Sequence, residues 1–241
     1  MRLLRWIYLI YFCGVFLAIM ILFYPLFKWS VANPKKHRFS FRISKLVCHL
    51  VLIFAGLRLK SLGKVPYPPE PCIICPNHTS YIDILTMYYI SYRPVIFMGK
   101  KELEKWPFIK LFFKGKHILV DRKNPVAAAK SLEMVEEKLG MGYDVVIFPE
   151  GGIGKNLPAL NPLKMGAFKV AQRGKYPIVP VIFFSNWKRL GMMKGRWKVG
   201  PGWARYAVFK EERIVGDEPK DLLNLRDRVQ LVMKEALKQV E

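Results

Sequence analysis

Acidic residues are scarce in this sequence. It has 18 Asp and Glu against 40 Lys and Arg, which gives a formal net charge of +22, and no acid precedes Glu70. Ten of the Lys and Arg lie within the first 60 residues. So large an excess of one sign indicates an anionic partner, which can be nucleic acid, an anionic membrane surface or a negatively charged substrate.

Cysteine is also rare, with Cys13, Cys48, Cys72 and Cys75 the four in the chain. The first two lie in apolar segments, and the last two alternate with isoleucines as residues of a core strand do. This pattern argues against a disulfide framework, and a metal site would need two further ligands where only His78 is near. We therefore expect buried thiols in a reducing compartment and no metal site.

Charge is absent from Trp6 to Phe27, a run of 22 residues. At 1.5 Å per residue such a helix is long enough to cross a hydrocarbon core about 30 Å thick. The run is longer than the apolar part of a signal peptide and shows no small-x-small cleavage site before Lys28, which favours a retained anchor. A second apolar segment, Ile43 to Leu59, is interrupted by Lys45 and His49 and is short for a span.

Both ends of the first helix, about Leu3 to Trp29, are basic, so the distribution of cations gives no clear orientation. Two topologies stay open. The first helix can cross the bilayer once, or both segments can form a helical hairpin in one leaflet that keeps the cations at the headgroup layer. In either case residues 1–60 are predicted to anchor the protein to an anionic membrane.

A proline-rich linker at residues 63–69 marks a change of pattern, and the residues after it have the pattern of a soluble α/β domain. We assign this domain to residues 61–241, with the linker included. Short β-rich runs alternate with helical segments, which predicts a single domain with a central, mostly parallel or mixed sheet flanked by helices. The predicted strands are Cys72 to Cys75, Pro94 to Met98, His117 to Val120, Asp144 to Phe148, Ile178 to Phe184 and Trp203 to Phe209. The predicted helices are Ser80 to Ile90, Glu102 to Phe113, Pro125 to Leu139, Leu163 to Gln172 and Pro219 to Glu241. Pro180, inside the fifth strand, predicts a bulge or an edge.

The loop after the first predicted strand holds a histidine and a carboxylate. His78 and Asp83 are five positions apart, and on one continuous helix they would diverge by roughly 140°. If the helix starts near Ser80, His78 can fold back from the loop and meet Asp83, which would orient the imidazole as a general base. The alternative is that Ser80 and Asp83 form a capping box and His78 is a solvated loop residue.

Two further loops can complete a site. Glycines follow Phe148, where backbone amides can turn toward an anion, and Glu150 beside Gly151 offers a carboxylate to a substrate hydroxyl. Arg122 follows another predicted strand and suits bidentate phosphate binding, although it can equally pair with Asp121 at the surface.

In their order along the chain, these segments resemble the sequence blocks of the glycerolipid acyltransferases, and in particular of the 1-acyl-sn-glycerol-3-phosphate (lysophosphatidic acid) acyltransferases. The similar segments are Asn77 to Asp83 for the His-x4-Asp box, Lys101 to Leu103 with Pro107, Gly115 and Val120 to Arg122 for the second block, Phe148 to Gly151 for the third, Val179 to Val181 for the fourth, and also Lys164 with Gly166 to Phe168. The third block usually continues with Thr-Arg-Ser, whereas Gly152-Ile153-Gly154 stands here. The family's phosphate-binding arginine is therefore missing, or Lys155 takes its place.

The resemblance implies a membrane-bound enzyme on the cytoplasmic face of the cell membrane, with a role in phospholipid biosynthesis. It would transfer a fatty acyl group from acyl-coenzyme A or acyl carrier protein to the sn-2 hydroxyl of lysophosphatidic acid, giving phosphatidic acid. The implied catalytic residues are His78 and Asp83, and no cofactor is required. The implied substrate-binding residues are Arg122, Glu150, Gly151, Lys155, Lys101 and Lys105. Two clusters that mix cations with aromatic rings, at residues 105–116 and 187–197, are interpreted as further membrane contacts.

Alternatives stay open at this point. The acceptor can be glycerol 3-phosphate or a lysophospholipid with another headgroup, because the third block departs from the family pattern. A non-enzymatic basic protein that binds membranes or nucleic acid would explain the charge. It would not explain four blocks in order, and an apolar 22-residue run is costly in a soluble nucleic-acid binder, so no nucleic acid is expected as partner.

Overall fold

A computed structural model of the chain describes residues 2–31, 36–105, 117–154, 156–193 and 195–239. The helices are α1 (Arg2–Val31), α2 (His37–Phe54), α3 (Asp83–Ile90), α4 (Pro125–Gly140), α5 (Gly166–Gly174), α6 (Asn186–Leu190) and α7 (Pro219–Lys238), with a 3-10 turn at Lys101–Lys105. The strands are β1 (Leu57–Lys64), β2 (Ile73–Pro76), β3 (Val95–Lys100), β4 (Ile118–Val120), β5 (Asp144–Val146), β6 (Ile178–Phe183), β7 (Gly191–Met193), β8 (Arg196–Val199) and β9 (Gly202–Val208).

One sheet organises the described residues, in the strand order β1-β9-β6-β2-β5-β3-β4. Neighbouring strands are parallel except β6 and β9, which pair antiparallel, so β9 and β1 run opposite to the other five. The prediction of a mostly parallel, mixed sheet is confirmed. β7 and β8 form a separate antiparallel hairpin.

Helices cover both faces of this sheet, because side chains along the strands alternate between two apolar clusters. In β2, Ile74 packs toward the helices α1 to α3, whereas Ile73 and Cys75 pack toward α4, α5 and α7. All three side chains are completely buried, and burial of an aliphatic side chain of this size contributes roughly 1.5–3 kcal/mol. A sheet buried on both faces leaves the strand ends as the accessible edge on which a site can form.

The helix boundaries follow from local signals. Asn124 accepts hydrogen bonds from the backbone N–H groups of Val126 and Ala127, at 3.0 and 3.1 Å, and Pro125 occupies the first turn of α4. Helix α2 ends before Gly56, which adopts a left-handed conformation with φ of 67° that favours glycine. The chain is therefore free to turn into β1.

Helices α1 and α2 form an antiparallel pair. The hydroxyls of Tyr8 and Tyr11 donate to the carbonyls of Ala55 and Phe54, at 2.8 and 2.7 Å. At the other end, the rings of Trp29 and Phe39 meet edge to face with centroids 5.5 Å apart. Helix α2 buries its inner face against the sheet domain, whereas α1 is mostly exposed and is, by length and composition, a candidate membrane span.

Three expectations about segment boundaries and cysteine burial differ from the structure. The second apolar segment does not stay helical to Leu59, because residues 57–64 form β1 and pair with β9, so the predicted boundary between residues 60 and 61 falls inside a strand. Cys13 is exposed on α1, whereas the other three thiols are buried as expected. Most of the predicted helix Glu102 to Phe113 lies outside the described residues, and its first part is the 3-10 turn.

Pro180 lies in an interior strand rather than at an edge, so that alternative was wrong. It pairs in register with Cys75 of β2, and its carbonyl accepts a bond from the N–H of Phe209 over 3.0 Å. A backbone N–H at this position would point toward β9, as the carbonyl does. The regular pairing of β6 with β9 covers only Val181 to Phe183. The ladder is interrupted at the residue that has no donor.

Candidate active site

The candidate site lies where three neighbouring strands end. β2, β5 and β6 are adjacent and parallel, so the loops that follow them meet at one edge of the sheet. His78 and Glu150 lie in the loops after β2 and β5, and Asn186 is the first residue of α6, which follows β6. Side chains separated by more than 100 positions are thereby brought together.

His78 and Asp83 are in contact. Nδ1 of His78 lies 2.9 Å from Oδ2 of Asp83, whose side chain is completely buried, whereas the imidazole is 18% exposed. Helix α3 begins at Asp83, so the histidine reaches back from the loop as the sequence predicts. Because Nδ1 faces the carboxylate, Nε2 is the ring nitrogen that can meet a substrate.

Asp83 also organises the loop itself. Its Oδ2 accepts the backbone N–H groups of Thr79 and Ser80, at 2.7 and 2.8 Å, while Oδ1 accepts Nδ2 of Asn186 at 2.8 Å. One carboxylate therefore holds both the loop before α3 and the histidine. The N-cap of α3, Ile82, has no side-chain capping bond, so the alternative of a capping box with a solvated His78 does not describe this loop. Asn186 was not predicted, although its position directly after a buried strand was a usable signal.

Glu150 holds the main chain of the histidine. Its Oε1 accepts the backbone N–H of His78 at 2.8 Å, and its Oε2 accepts both the backbone and side-chain N–H groups of Asn161, each at 2.8 Å. Burial raises the pKa of this carboxyl, and the hydrogen bonds from His78 and Asn161 partly oppose that rise. Both carboxylate oxygens thus accept hydrogen bonds from the protein. Glu150 therefore stabilises the loop that carries His78 and does not lie open to a substrate hydroxyl.

The imidazole is further fixed by stacking. The ring of Phe148 lies parallel to that of His78, with centroids 4.0 Å apart and an interplanar angle of 23°. The histidine is therefore held through one ring nitrogen, one ring face and its backbone N–H.

Three cations surround the glycine turn after β5. Arg122 donates to the carbonyl of Gly151, and partial burial lowers the pKa of its guanidinium. Gly151 has φ of 81°, and a Cβ there would lie 2.7 Å from Nζ of Lys164. A Cβ on Gly152 would lie 3.8 Å from Nζ of Lys100. The positive φ of Gly151 favours glycine, and the turn presents backbone beside three positive charges, an arrangement suited to an anion.

Lys100 was missed by the sequence analysis, and Lys164 was noted only as part of a familiar segment. Lys100 is the last residue of β3, and Lys164 lies shortly before the start of α5. The N–H of Gly151 donates to the carbonyl of Phe148 at 3.0 Å, so this amide is not free to bind a reacting oxyanion.

The other predicted binding residues are placed elsewhere or are not described. Lys101 forms an ion pair with Asp121 at 3.7 Å, and it lines an open cleft together with Lys105, Glu102 and Lys123. Lys155 lies outside the described residues, as do residues 106–116 and Lys194 of the predicted membrane-contact clusters.

Comparisons with known proteins agree with this architecture. Residues 58–184, just over half of the chain, match the protein family described as Acyltransferase. The crystal structure of the 1-acyl-sn-glycerophosphate (LPA) acyltransferase PlsC from Thermotoga maritima is similar, with a TM-score of 0.81 at 18% identity over 100% of this chain and 98% of that one. At this identity the similarity shows a shared fold.

Two curated relatives are informative. The chain is 30% identical to the 1-acyl-sn-glycerol-3-phosphate acyltransferase of Helicobacter pylori over 189 residues, which is 77% of this chain and 74% of the relative. It is 28% identical to 1-acyl-sn-glycerol-3-phosphate acyltransferase alpha of Mus musculus over 194 residues, which is 76% of this chain and 65% of the relative. The match to the mouse protein thus leaves about a third of that relative uncovered.

Proposed function

The chain belongs to the acyltransferase family, and on that premise we propose that it is a 1-acylglycerol-3-phosphate acyltransferase. It transfers a fatty acyl group from a thioester of coenzyme A or acyl carrier protein to the sn-2 hydroxyl of lysophosphatidic acid, and the product is phosphatidic acid. The family match and the relatives' names support the reaction class. The oriented His78–Asp83 pair is the observation that carries the chemistry.

In the proposed mechanism His78 is the general base. Its Nε2 removes the proton of the acceptor hydroxyl while that oxygen attacks the thioester carbonyl, and Asp83 stabilises the imidazolium that forms. The tetrahedral intermediate then expels the thiolate, which takes the proton from Nε2, so the histidine returns to its starting state. General-base catalysis of this kind contributes roughly 10²- to 10⁴-fold.

Direct transfer without a covalent enzyme intermediate fits the surroundings of His78. The thiol of Cys75 is completely buried in β2, and so is that of Cys72 directly before this strand. The hydroxyl of Ser80 is buried and donates to the carbonyl of Leu190 at 2.5 Å. Both types of nucleophile are thus turned away from a substrate at the histidine.

The cations around Gly151 are proposed to hold the acceptor's phosphate. Arg122 and Lys164 come from loops on either side of the turn, and Lys100 comes from the end of β3. Together they offer the positive charge that the third sequence block lacks after its glycines. Lys155 remains part of this proposal.

Membrane attachment is proposed to occur through the α1–α2 pair in one leaflet on the cytoplasmic face. Helix α1 contacts α2 near both of its ends, and α2 packs on the sheet domain. The pair thus keeps α1 alongside the domain, with exposed apolar side chains such as Leu4, Ile10 and Leu22 available to lipid.

An acceptor panel tests the function. Detergent-solubilised protein is given acyl-coenzyme A or acylated acyl carrier protein, together with lysophosphatidic acid, glycerol 3-phosphate or lysophospholipids of other headgroups. The lipid products are quantified, with His78→Ala as control. Phosphatidic acid as the main product, lost in the control, is the expected result. Preference for another acceptor would reassign the substrate, and no acyl transfer with either carrier would refute the proposal.

A further inference from the structure

The charges of this chain are divided unevenly along the sequence. Residues 1–69 and 151–210 contain 23 Lys and Arg and no Asp or Glu. The remaining residues, 70–150 and 211–241, contain 17 Lys and Arg with all 18 Asp and Glu. The whole positive excess therefore comes from two acid-free stretches, while the rest of the protein is nearly neutral.

The fold brings parts of these two stretches together at one edge of the sheet. Strand β1 from the first stretch pairs with β9 from the second, with Arg58 opposite Trp203 and Lys60 opposite Arg205. Helix α6 contacts β9 through Arg189, which donates to the carbonyl of Trp203 at 3.1 Å. We call residues 57–64, 186–193 and 195–210 the basic edge.

Exposed cations on the basic edge have no carboxylate partner within the described part of the chain. Arg58, Lys60, Arg196 and Arg205 are exposed, and none of them forms an ion pair there. Two cations elsewhere in the second stretch are different, since Arg173 pairs with Glu136 and Lys175 with Asp217. Lys and Arg on an edge strand can serve simply to prevent strand pairing between molecules. That role would account for the cations of β1. It would not account for the cations of β8, because this strand lies outside the main sheet.

Apolar side chains are exposed among these cations. Trp203 is 47% exposed beside the guanidinium of Arg58, and Met192 at the hairpin of β7 and β8 is 43% exposed. Strand β8 contacts α1, the candidate span, so the basic edge continues directly into the apolar surface of the helix pair. Cations mixed with amphipathic rings beside an apolar helix are typical of a surface at the headgroup layer.

We propose that the basic edge binds anionic phospholipid headgroups, as a second membrane contact next to the α1–α2 pair. Continuity with α1 favours lipid over a soluble acidic protein or nucleic acid, because β8 contacts α1 and therefore lies beside any bilayer that receives this helix. The proposal concerns membrane attachment of the enzyme proposed above. Its test contains no acyl donor, so it can fail or succeed independently of that function.

The test measures binding of the full-length protein to vesicles, diluted from detergent. The vesicles are phosphatidylcholine alone or with about 30 mol% phosphatidylglycerol. A cation close to an anionic bilayer strengthens binding by roughly fivefold. The wild type is expected to prefer the anionic vesicles by at least about tenfold, and roughly 0.5 M salt should remove most of that preference.

Three variants separate charge from structure. Arg58→Gln, Lys60→Gln, Arg196→Gln and Arg205→Gln combined should lose the preference for anionic vesicles. A matched set on α4 and α7, Lys130→Gln, Lys220→Gln, Lys234→Gln and Lys238→Gln, should keep it. The charge-preserving set Arg58→Lys, Lys60→Arg, Arg196→Lys and Arg205→Lys should also keep it.

Each opposing result would overturn the proposal. Equal binding of the wild type to both vesicles would leave an acidic protein or nucleic acid as the occupant. An unchanged preference in the first variant would place the anionic contact elsewhere. Loss of preference in the charge-preserving set would show that packing, not charge, matters at these positions.

Discussion

Asn186 donates a hydrogen bond from Nδ2 to Oδ1 of Asp83 over 2.8 Å, although the two residues are 103 positions apart. The same amide lies 3.2 Å from the hydroxyl of Thr86. The other oxygen of Asp83 accepts His78 Nδ1 and two backbone N–H groups. Both oxygens of the buried carboxylate are thus held, and its orientation toward the histidine depends on β6 as well as on its own loop.

Replacing Asn186 should therefore slow catalysis without weakening substrate binding. Asn186→Ala removes a bond to a charged acceptor, a change of roughly 1.5–3 kcal/mol, and we expect kcat to fall about tenfold or more. The KM for the acceptor should stay within about twofold of the wild-type value, because Asn186 is placed to contact Asp83 rather than the substrate. Thr86→Val, which removes the amide's other partner, serves as control. A raised KM with unchanged kcat would contradict a positioning role.

The histidine and aspartate should be indispensable for turnover. We expect His78→Ala and Asp83→Asn each to lower kcat by at least about 10²-fold, through loss of the base or of its oriented tautomer. Thermal unfolding and recovery in the membrane fraction establish that the variants are folded and attached. Near-normal turnover in either folded variant would refute the assignment of His78 as base.

Glu150 should make stability depend on pH with a defined sign. Burial raises the pKa of its carboxyl in the folded protein, so ionisation of this group is less favourable there than in the unfolded chain. Its contribution to stability is complete below the ordinary pKa and is lost as the pH rises through the raised one. Glu150→Gln does not titrate. The unfolding free energy of the wild type minus that of the variant should therefore decrease as the pH rises above the ordinary glutamate pKa.

Denaturant titration in detergent at several pH values measures this difference. Groups that titrate in both proteins cancel in the subtraction. A difference that increases with pH would mean that the hydrogen bonds from His78 and Asn161 outweigh the effect of burial.

The cations around Gly151 should act on the acceptor rather than the donor. Arg122→Gln and Lys164→Gln each remove a charged contact to the proposed phosphate, and we expect the KM for lysophosphatidic acid to rise about tenfold. Lys169→Gln, an exposed change on α5 close in sequence to Lys164, is the matched control. Steady-state kinetics with each substrate varied in turn separate the two constants. Equal increases for both substrates would indicate structural damage or a coenzyme A contact instead.

The topology of the N-terminal helices can be measured by labelling. In a background with the four cysteines replaced by Ala, single cysteines at Arg2 and Lys36 should both react from the cytoplasmic side in sealed inverted vesicles. We expect this because α1 and α2 pack antiparallel and α2 rests on the domain. A cysteine at Lys130 provides the cytoplasmic reference. Reaction at position 2 only after the vesicles are opened would establish a true crossing.

Much of the candidate site was predictable because it is local. His78 and Asp83 lie within six residues of chain, and the geometry of a loop entering a helix restricts how they can meet. Arg122 and Gly151 were identified separately, and the structure brings them together through one hydrogen bond. Asn161 and Lys100 carried no pattern of their own, since an isolated polar residue has no periodicity to interpret, and Asn186 carried only its position after a buried strand.

The sequence by itself determined the apolar length of α1, the alternation of strands and helices, and the spacing that lets His78 reach Asp83. Tertiary structure decided that residues 57–64 form an edge strand, because a short basic segment becomes β structure only when β9 supplies its hydrogen bonds. It also decided which loops surround the histidine and where the acid-free stretches meet. Periodicity is a property of neighbouring residues, whereas these contacts depend on the order of strands in the sheet, which joins residues more than 100 positions apart.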